Sequence, residues 1–434
     1  MNKNREKIVI IGGGFGGLNL VKRLDKRKWD ITLIDKNNYH SFAPLLYQVA
    51  SSGLEPSDIS FPMRREVSRG KNQGVRYTMG TVSVIDVKKK TVLTEYEEIP
   101  YDKLIIAAGC TNNFFGINGL QDKVYTIKSV SESIRTRNAI LYNLERASQT
   151  KDEDERRSLL TFAIIGAGPT GVEIAGALGE MKRWIIAKEY PQIDPSEVKV
   201  ILYEGGDKVL RTMSERSSKD ALDSLSELMV DVRLGKVLAD YDGETIRFSD
   251  GESLKTKMVI WTAGITGTLL RIEGDELKLG AGGRFLVDEF NKVEGIEDVY
   301  AIGDISLHID SRYPKGCPQL AQPAIQQAKT LAKNLNADSF TNPFVYKDKG
   351  SMATIGRNRA VVDLKCFHFS GFYAWITWML VHLLTLLGMR NRAVVLINWI
   401  WSYFGFSSSL RMILQGAHHP KQPEIKNSDV VDSL

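Results

Sequence analysis

A glycine-rich segment near the start of the chain has the spacing of a nucleotide-binding turn. Gly12, Gly14 and Gly17 follow the apolar run KIVII and open a helical pattern, LNLVKRL. The first glycine permits a tight turn, the second lets the backbone approach a pyrophosphate, and the third lets the helix pack closely on the strand. Asp35 ends the next apolar run, eighteen residues after Gly17, where a carboxylate can accept hydrogen bonds from a ribose. Together these features predict a dinucleotide site.

The same spacing recurs in the middle of the chain. Gly166, Gly168 and Gly171 stand between an apolar run and a helical pattern in LLTFAIIGAGPTGVEIAGAL. Glu204 ends the following run, VKVILYE, after a longer crossover. An acidic residue at this strand end favours a free ribose 2′-hydroxyl, so the segment predicts NADH rather than NADPH. A decayed, purely structural unit is the alternative, although both copies keep three glycines and a carboxylate.

Buried parallel strands must position both turns, and the sequence supplies them. The runs KLIIAAG (103–109), MVIWTAG (258–264) and VYAIGD (299–304) are short and apolar, as such strands are, and end in Ala-Gly or Gly-Asp. The two strand–turn–helix units therefore predict an α/β fold with two Rossmann-like dinucleotide-binding domains. A length of 434 residues is sufficient for two or three domains.

Composition limits the classes of partner. Charged residues are 25% and hydrophobic residues 43%, as in a globular protein. The net charge of +5 is mild and no Lys- and Arg-dense helix accompanies it, so we predict no nucleic-acid partner. Cys110, Cys317 and Cys366 are far apart and lack CxxC spacing, so neither a disulfide framework nor a metal site is predicted. The N-terminal segment lacks an apolar signal region, so the body of the protein is expected in the cytoplasm.

The two turns and the three glycine-containing strands resemble the two-dinucleotide flavoproteins that include glutathione reductase, over roughly residues 7–335. The resemblance implies that the first turn binds FAD, the second binds NAD(P)H, and Asp304 holds the flavin ribityl chain. Disulfide reductases of that family use a closely spaced cysteine pair, which this sequence lacks. Electrons are therefore expected to leave the flavin by another route.

The segment AQPAIQQ, residues 321–327, is similar to the AQxAxQQ motif of type II NADH dehydrogenases. That resemblance implies that Gln322 and Gln326 line a quinone site, where an uncharged amide can hydrogen-bond a quinone carbonyl. Glu173, in GPTGVE, matches a glutamate that lies near the nicotinamide and flavin in the same family. A capping box between Thr170 and Glu173 is the structural alternative, and it is compatible with the first interpretation.

The resemblance extends to the loop HSFAPLLYQVASSG, residues 40–53, which lies under the flavin in that family and could bring Tyr47 and Gln48 towards the ring. The predicted catalytic residues are Glu173, Gln322 and Gln326. The predicted cofactor-binding residues are Gly12, Gly13, Gly14, Phe15, Gly16, Gly17, Asp35, Lys36, Val82, Ala108, Gly109, Asp304, Ala321, Gly166, Gly168, Gly171, Glu204, Ala263 and Gly264.

The chain ends in two charge-poor stretches, residues 372–389 and 393–410, separated by Arg390 and Arg392. They contain four of the seven tryptophans, and such rings settle at a bilayer interface. We predict helices that lie in the membrane interface with partial burial. A hairpin of two spans and a hydrophobic dimer interface are the alternatives, because each stretch is near the lower length limit for a span.

These observations predict a discontinuous FAD-binding domain (1–125 and 270–345), an NADH-binding domain (126–269) and a C-terminal helical membrane-associating region (346–434). The predicted function is a non-pumping NADH:quinone oxidoreductase at the cytoplasmic face of the cell membrane, with FAD as cofactor, NADH and a membrane quinone as substrates, and a homodimer as a further expectation. The alternatives are a sulfide:quinone oxidoreductase, since Cys110 and Cys317 lie beside the predicted flavin segments, and a low-turnover, membrane-docked NADH sensor. A soluble ferredoxin reductase is disfavoured by the apolar tail.

Overall fold

The computed structural model describes residues 5–68, 72–274, 279–365, 367–405 and 410–413. The end of the predicted membrane-associating region, from residue 414 onward, lies outside the described residues. In chain order the helices are α1 (Phe15–Arg23), α2 (Leu46–Ala50), α3 (Met63–Ser68), α4 (Leu120–Lys123), α5 (Val130–Gln149), α6 (Glu153–Leu159), α7 (Pro169–Glu180), α8 (Ala187–Glu189), α9 (Glu215–Glu227), α10 (Ala321–Ala337), α11 (Phe372–Thr385) and α12 (Met389–Gly405).

A π-helical turn, Met181–Ile186, continues α7 into α8, and short 3₁₀ turns include Pro56–Asp58 and Gly303–Ile305. The strands in chain order are β1 (Glu6–Ile11), β2 (Trp29–Asp35), β3 (Tyr39–Ser41), β4 (Ser60–Pro62), β5 (Arg76–Met79), β6 (Val82–Asp86), β7 (Thr91–Thr94), β8 (Glu98–Pro100), β9 (Lys103–Ile106), β10 (Cys110–Asn112), β11 (Thr161–Ile165), β12 (Lys199–Tyr203), β13 (Val230–Arg233), β14 (Leu238–Tyr241), β15 (Thr245–Phe248), β16 (Ser253–Lys255), β17 (Met258–Trp261), β18 (Ile265–Gly267), β19 (Arg271–Glu273), β20 (Leu279–Gly280), β21 (Arg284–Val287), β22 (Val299–Ala301), β23 (Ser306–His308), β24 (Ser351–Thr354), β25 (Ala360–Leu364) and β26 (Phe367–Ser370).

The first of two parallel sheets carries the N-terminal glycine turn. Its order is β22-β9-β1-β2-β5, so the strand of residues 299–301 pairs with a strand from the first quarter of the chain. Alternation along β1 sends Ile8 and Ile10 into the core under α1 and α10, and Val9 and Ile11 into the core on the opposite face. Burial on both faces explains the unbroken apolar run KIVII.

The second parallel sheet carries the other glycine turn, in the order β13-β12-β11-β17. Phe162 and Ile164 of β11 face one core, whereas Ala163 and Ile165 face another. The two sheets are connected by an antiparallel ribbon in which β10 pairs with β18. Because β10 follows β9 and β18 follows β17, this ribbon links the ends of the two strands that finish in Ala-Gly. The α/β class with two Rossmann-like units is therefore confirmed.

A three-stranded antiparallel sheet, β24-β25-β26, precedes the terminal helices and was not predicted from the sequence. It packs on α7, where Ala353 and Val361 are fully buried. The contact is close because Gly176 has no side chain: a Cβ there would lie 2.8 Å from the Ile355 backbone. This sheet fixes the C-terminal helices to the second Rossmann-like unit.

Helices α11 and α12 bury one side and expose the other. Ala374, Trp378 and Val395 join the core that contains α7 and the 42–61 segment. Among the described residues, no helix is both long and apolar enough to cross a bilayer. The exposed apolar side chains of these helices include Phe372, Tyr373, Leu380, Leu384, Met389, Ile397, Ile400, Trp401 and Phe404.

Substituting Gly176 by alanine should separate α7 from the C-terminal sheet, because the added methyl group would collide with the Ile355 backbone. We expect a loss of about 1–3 kcal/mol in the free energy of unfolding, measured by chemical denaturation. The exposed helical substitution Lys329→Ala is the control. Equal stability of the Gly176→Ala and control proteins would show that the interface is looser than described.

Candidate active site

The turn between β1 and α1 accepts only glycine at two positions. Gly12 has a φ of +99°, and a Cβ there would lie 2.3 Å from the Ala107 carbonyl oxygen. A Cβ on Gly17 would lie 1.8 Å from the Gly12 carbonyl oxygen. Gly14 instead faces open space before the N-terminus of α1. Backbone N–H groups and the helix dipole favour an anion there, so the turn fits a phosphate group.

Asp35 holds this turn from the neighbouring strand. Its carboxylate accepts hydrogen bonds from the backbone N–H groups of Gly13, at 2.6 Å, and Asn37, at 2.7 Å. Burial raises the pKa of the Asp35 carboxyl, and these two donors oppose the rise. On the other side of the turn, the buried His40 ring donates from Nδ1 to the Gly13 carbonyl oxygen at 2.9 Å.

The turn between β11 and α7 repeats this arrangement. Gly166 has a φ of +103°, and a Cβ there would lie 2.7 Å from the Ala263 backbone. A Cβ on Gly171 would lie 1.9 Å from the Gly166 carbonyl oxygen, whereas Gly168 faces open space. Glu204 accepts the Ala167 N–H at 2.7 Å, as Asp35 accepts that of Gly13. The chain therefore contains two turns of the same geometry, each suited to a pyrophosphate.

Helix α7 begins at Pro169, with Gly168 as its N-terminal capping residue and no side-chain cap. Thr170 is exposed inside the first turn and Glu173 is buried. The capping box considered between Thr170 and Glu173 is therefore wrong, because Thr170 does not occupy the capping position.

Asp304 lies in the 3₁₀ turn after β22, close to the start of α10. Its carboxylate accepts the Cys110 thiol at 2.9 Å, and its backbone oxygen accepts the Gln319 side-chain amide at 2.9 Å. Gln327 is buried and accepts the Gly303 N–H at 2.7 Å, so it fixes the turn from inside α10. Neither Gln327 nor His40 was predicted to support the turns, although they lie in the segments AQPAIQQ and HSFAPLLYQVASSG.

Most of the other predicted cofactor residues follow the carboxyl ends of the parallel strands, the usual ligand edge of such sheets. Ala108 and Gly109 follow β9, Ala263 and Gly264 follow β17, and Ala321 is the first residue of α10. The rest lie in or near the first turn: Phe15 and Gly16 begin α1, Lys36 is exposed after β2, and Val82 begins β6.

The side-chain amides of Gln322 and Gln326 both form hydrogen bonds with backbone groups. Gln322 donates to the Gly350 carbonyl at 3.1 Å and accepts the Lys349 N–H at 3.2 Å. Gln326 donates to the Lys347 carbonyl at 2.9 Å and accepts the Lys347 N–H at 3.0 Å. These paired bonds attach segment 347–350 to α10, and their role at a quinone site stays a prediction.

A cavity of about 140 Å³ lies where the 47–53 segment, α7, the C-terminal sheet and the two terminal helices meet. A cavity of roughly 150 Å³ can hold a benzene molecule, so this one is large enough for a six-membered ring. Neither Gln322 nor Gln326 lines it. Its lining residues are Tyr47, Gln48, Ser51, Gly53, Glu173, Ala177, Glu180, Thr354, Gly356, Arg357, Trp375, Trp378, Met379, Trp399, Ser402 and Tyr403.

Glu173 and Glu180 are the two acidic side chains that line this cavity, and Glu173 is the more buried of the two. Burial raises the pKa of its carboxyl well above the usual range, although the Thr354 backbone and the Trp378 indole oppose the rise. Burial also raises the pKa of the Tyr47 phenol, and the nearby Glu173 adds to that effect. The Tyr47 phenol is therefore protonated at neutral pH, and burial favours the protonated form of Glu173, in which it can act as a proton donor.

Comparison with known proteins agrees with this geometry. Residues 6–328 match the pyridine nucleotide-disulphide oxidoreductase family, and residues 349–405 match the NDH2 C-terminal domain. The chain is 36% identical, over 420 residues, to the type II NADH:quinone oxidoreductase NdhA of Mycobacterium tuberculosis, covering 92% of this chain and 88% of the relative. The chain belongs to the type II NADH:quinone oxidoreductases. A relative of the same name from Staphylococcus haemolyticus is 29% identical, with 83% and 90% coverage.

Solved structures share the fold of this type II oxidoreductase. The structure of NDH2 from Plasmodium falciparum in complex with NADH has a TM-score of 0.85 at 23% identity, covering 95% of this chain and 100% of that chain. The sulfide:quinone oxidoreductase of Aquifex aeolicus has a TM-score of 0.70 at 18% identity, with 93% and 96% coverage. At these identities the likeness concerns the fold alone.

The cysteines of the type II oxidoreductase oppose the sulfide alternative. Burial and the neighbouring Asp304 raise the pKa of the Cys110 thiol to about 12, and burial raises that of Cys317 to about 11. Sulfur transfer needs a thiolate, and both thiols are protonated at neutral pH. The third cysteine, Cys366, lies outside the described residues.

Cys110 should therefore resist alkylation in the folded protein. With a pKa of about 12, roughly one Cys110 thiol in ten thousand is ionised at pH 8. We expect iodoacetamide to modify Cys110 more than about 100-fold more slowly than free cysteine at pH 8, as followed by peptide mass spectrometry. Unfolding in urea should restore normal reactivity. Rapid modification of the folded protein would indicate a nucleophilic thiol and would revive the sulfide alternative.

Proposed function

We propose that this type II oxidoreductase transfers a hydride from NADH to FAD and two electrons onward to a membrane quinone, without pumping protons. The observation that carries the proposal is the cavity between α7 and the terminal helices. It joins a buried carboxyl, on a helix that begins at the second glycine turn, to aromatic rings from the apolar tail. A quinone ring entering from a membrane surface would meet these groups first.

The residues present fit both cofactors. Gly12, Gly14 and Asp35 would hold the FAD pyrophosphate and ribose, and Asp304 would hold the ribityl chain. Gly168 and Glu204 would hold NADH in the corresponding way, and the acidic Glu204 favours NADH over NADPH because a 2′-phosphate would be repelled. When bound, FAD supplies the chemistry that accepts a hydride and releases two electrons.

The chain's own groups would orient the quinone and supply a proton. Reduction of a quinone to a quinol consumes two electrons and two protons: the hydride of NADH accounts for both electrons and one proton, and solvent supplies the other. Burial favours the protonated form of Glu173, which can donate this second proton to a quinone oxygen and then recover one from solvent. Gln48 and the indole rings of Trp378 and Trp399 would position the ring. Gln322 and Gln326 would support this site through segment 347–350.

The exposed faces of α11 and α12 would dock on the cytoplasmic surface of the membrane. Trp401 and Phe404 are 70% and 79% exposed, as expected for anchors whose partner is a lipid interface. Arg390, in the first turn of α12, would meet anionic headgroups. A homodimer through neighbouring apolar surface is compatible with this arrangement.

The substitution Glu173→Gln should slow quinone reduction and leave flavin reduction unchanged. We expect Glu173→Gln to lower the quinone-dependent kcat by about 10²-fold, because the cavity loses its proton donor. Turnover with ferricyanide, an electron acceptor that needs no proton, should stay near the wild-type value. Glu153→Gln, on the exposed face of α6, is the control. Sulfide-dependent quinone reduction without NADH turnover in the wild type would reject the proposed reaction.

Membrane docking should depend on the exposed tail residues. We expect the double substitution Trp401→Asp and Phe404→Asp to reduce sedimentation with anionic vesicles by about tenfold or more, because two charges would enter the interface. Tyr96→Asp, at a side chain that is 77% exposed on another part of the surface, should leave sedimentation unchanged. If the Tyr96→Asp protein loses as much vesicle sedimentation as the double variant, the attraction to the vesicles is not specific to the terminal helices.

A further inference from the structure

Helix α5 carries a buried cation, Arg137. Its side chain is 1% exposed, and its guanidinium nitrogens have no hydrogen-bond acceptor among the described residues. Two positions earlier, Arg135 is exposed and lies over the Tyr125 ring. A guanidinium stays charged at any pH that a protein tolerates, so its burial requires an opposite charge nearby.

That opposite charge is the Glu55 carboxylate, 3.9 Å from the guanidinium. Glu55 is the capping residue of the 3₁₀ turn Pro56–Asp58, and it forms a capping box with Asp58. In this box the Glu55 N–H donates to the Asp58 carboxylate at 3.2 Å. The ion pair with Arg137 thus fixes the inner side of this turn. The other acidic residue of the turn, Asp58, faces α12 instead.

Asp58 connects the outer side of the turn to α12. Its carboxylate accepts the Asn398 side-chain amide at 2.9 Å. Asn391 donates to the backbone oxygens of Ser57 and Asp58, each at 2.9 Å. Three hydrogen bonds therefore dock the second terminal helix on the turn that Arg137 and Glu55 support.

The same loop carries one wall of the cavity, which contacts the wall that α12 supplies. Gln48 accepts the Trp399 indole N–H at 2.9 Å and donates to the Tyr47 hydroxyl at 2.8 Å. Tyr47 and Gln48 belong to α2, which packs against α5, the helix of Arg137. The cavity wall is therefore held from inside by a buried cation and from outside by the membrane-facing helix.

We infer that Arg137 and Glu55 are positioning residues for the quinone pocket. The ion pair sets the place of the 46–58 loop, and the loop sets the distance between the Tyr47–Gln48 wall and the indole wall of α12. This inference rests on the proposed function, because it assigns the pocket to quinone. Displacements of about 1 Å can cost two orders of magnitude in rate, so a buried pair behind the wall can control quinone use without touching it.

Removing the guanidinium should weaken quinone binding selectively. We expect Arg137→Met to raise the KM for a short-tail quinone by about tenfold or more, with a smaller change in kcat and a ferricyanide-dependent rate near that of wild type. Arg137→Lys keeps the charge and should recover part of the loss. Arg135→Met is the matched control on the same helix, and its KM should not change.

A second variant tests the inference if Arg137→Met fails to fold. Asn398→Ala removes a contact on the outer side of the turn and should raise the quinone KM in the same direction, with the ferricyanide rate intact. An unchanged quinone KM in Asn398→Ala, or in a folded Arg137→Met, would overturn the inference, as would equal losses with quinone and ferricyanide. If the wild-type protein oxidises NADH with ferricyanide but not with quinone, the proposed function fails instead.

Discussion

Each nucleotide-binding turn depends on one carboxylate that holds a backbone N–H from the neighbouring strand. Asp35 does so for the first turn and Glu204 for the second, and in both cases the glycines bring the helix N-terminus against the strand. A ligand phosphate placed there meets N–H groups that no side chain blocks. The two parallel sheets repeat this arrangement, and the β10–β18 ribbon pairs the segments that follow β9 and β17, so it connects the two units on the side of the proposed cofactor sites.

The terminal helices have a buried side and an exposed apolar side, and each contributes differently to the structure. Their inner residues complete a core with α7, and their outer residues present aromatic and aliphatic side chains to the surroundings. The cavity between them and Glu173 follows from that arrangement, since one helix pair supplies both a cavity wall and an exposed apolar face. His382, whose pKa burial lowers to about 4, is packed on Trp378, which lines the cavity.

Features that depend on short-range steric constraints were predicted correctly from the sequence. The two glycine turns, their carboxylates and the apolar strands could be read from the sequence because each needs particular residues at fixed spacing. The sheet of residues 351–370 was missed, since its strands are short and pair only when they pack on α7. Contacts between distant segments were also hidden: nothing in the local sequence shows that Gln322 and Gln326 bind segment 347–350, or that Arg137 meets Glu55.

The most direct test of the account is an anaerobic absorbance measurement on the purified protein in mild detergent. NADH should bleach the visible flavin band, and a short-tail quinone added afterwards should restore it. Bleaching followed by recovery would establish that electrons pass from NADH through the flavin to quinone. If NADH leaves the band unchanged, the second turn does not deliver a hydride, and if quinone fails to restore a bleached band, the cavity is not a quinone site.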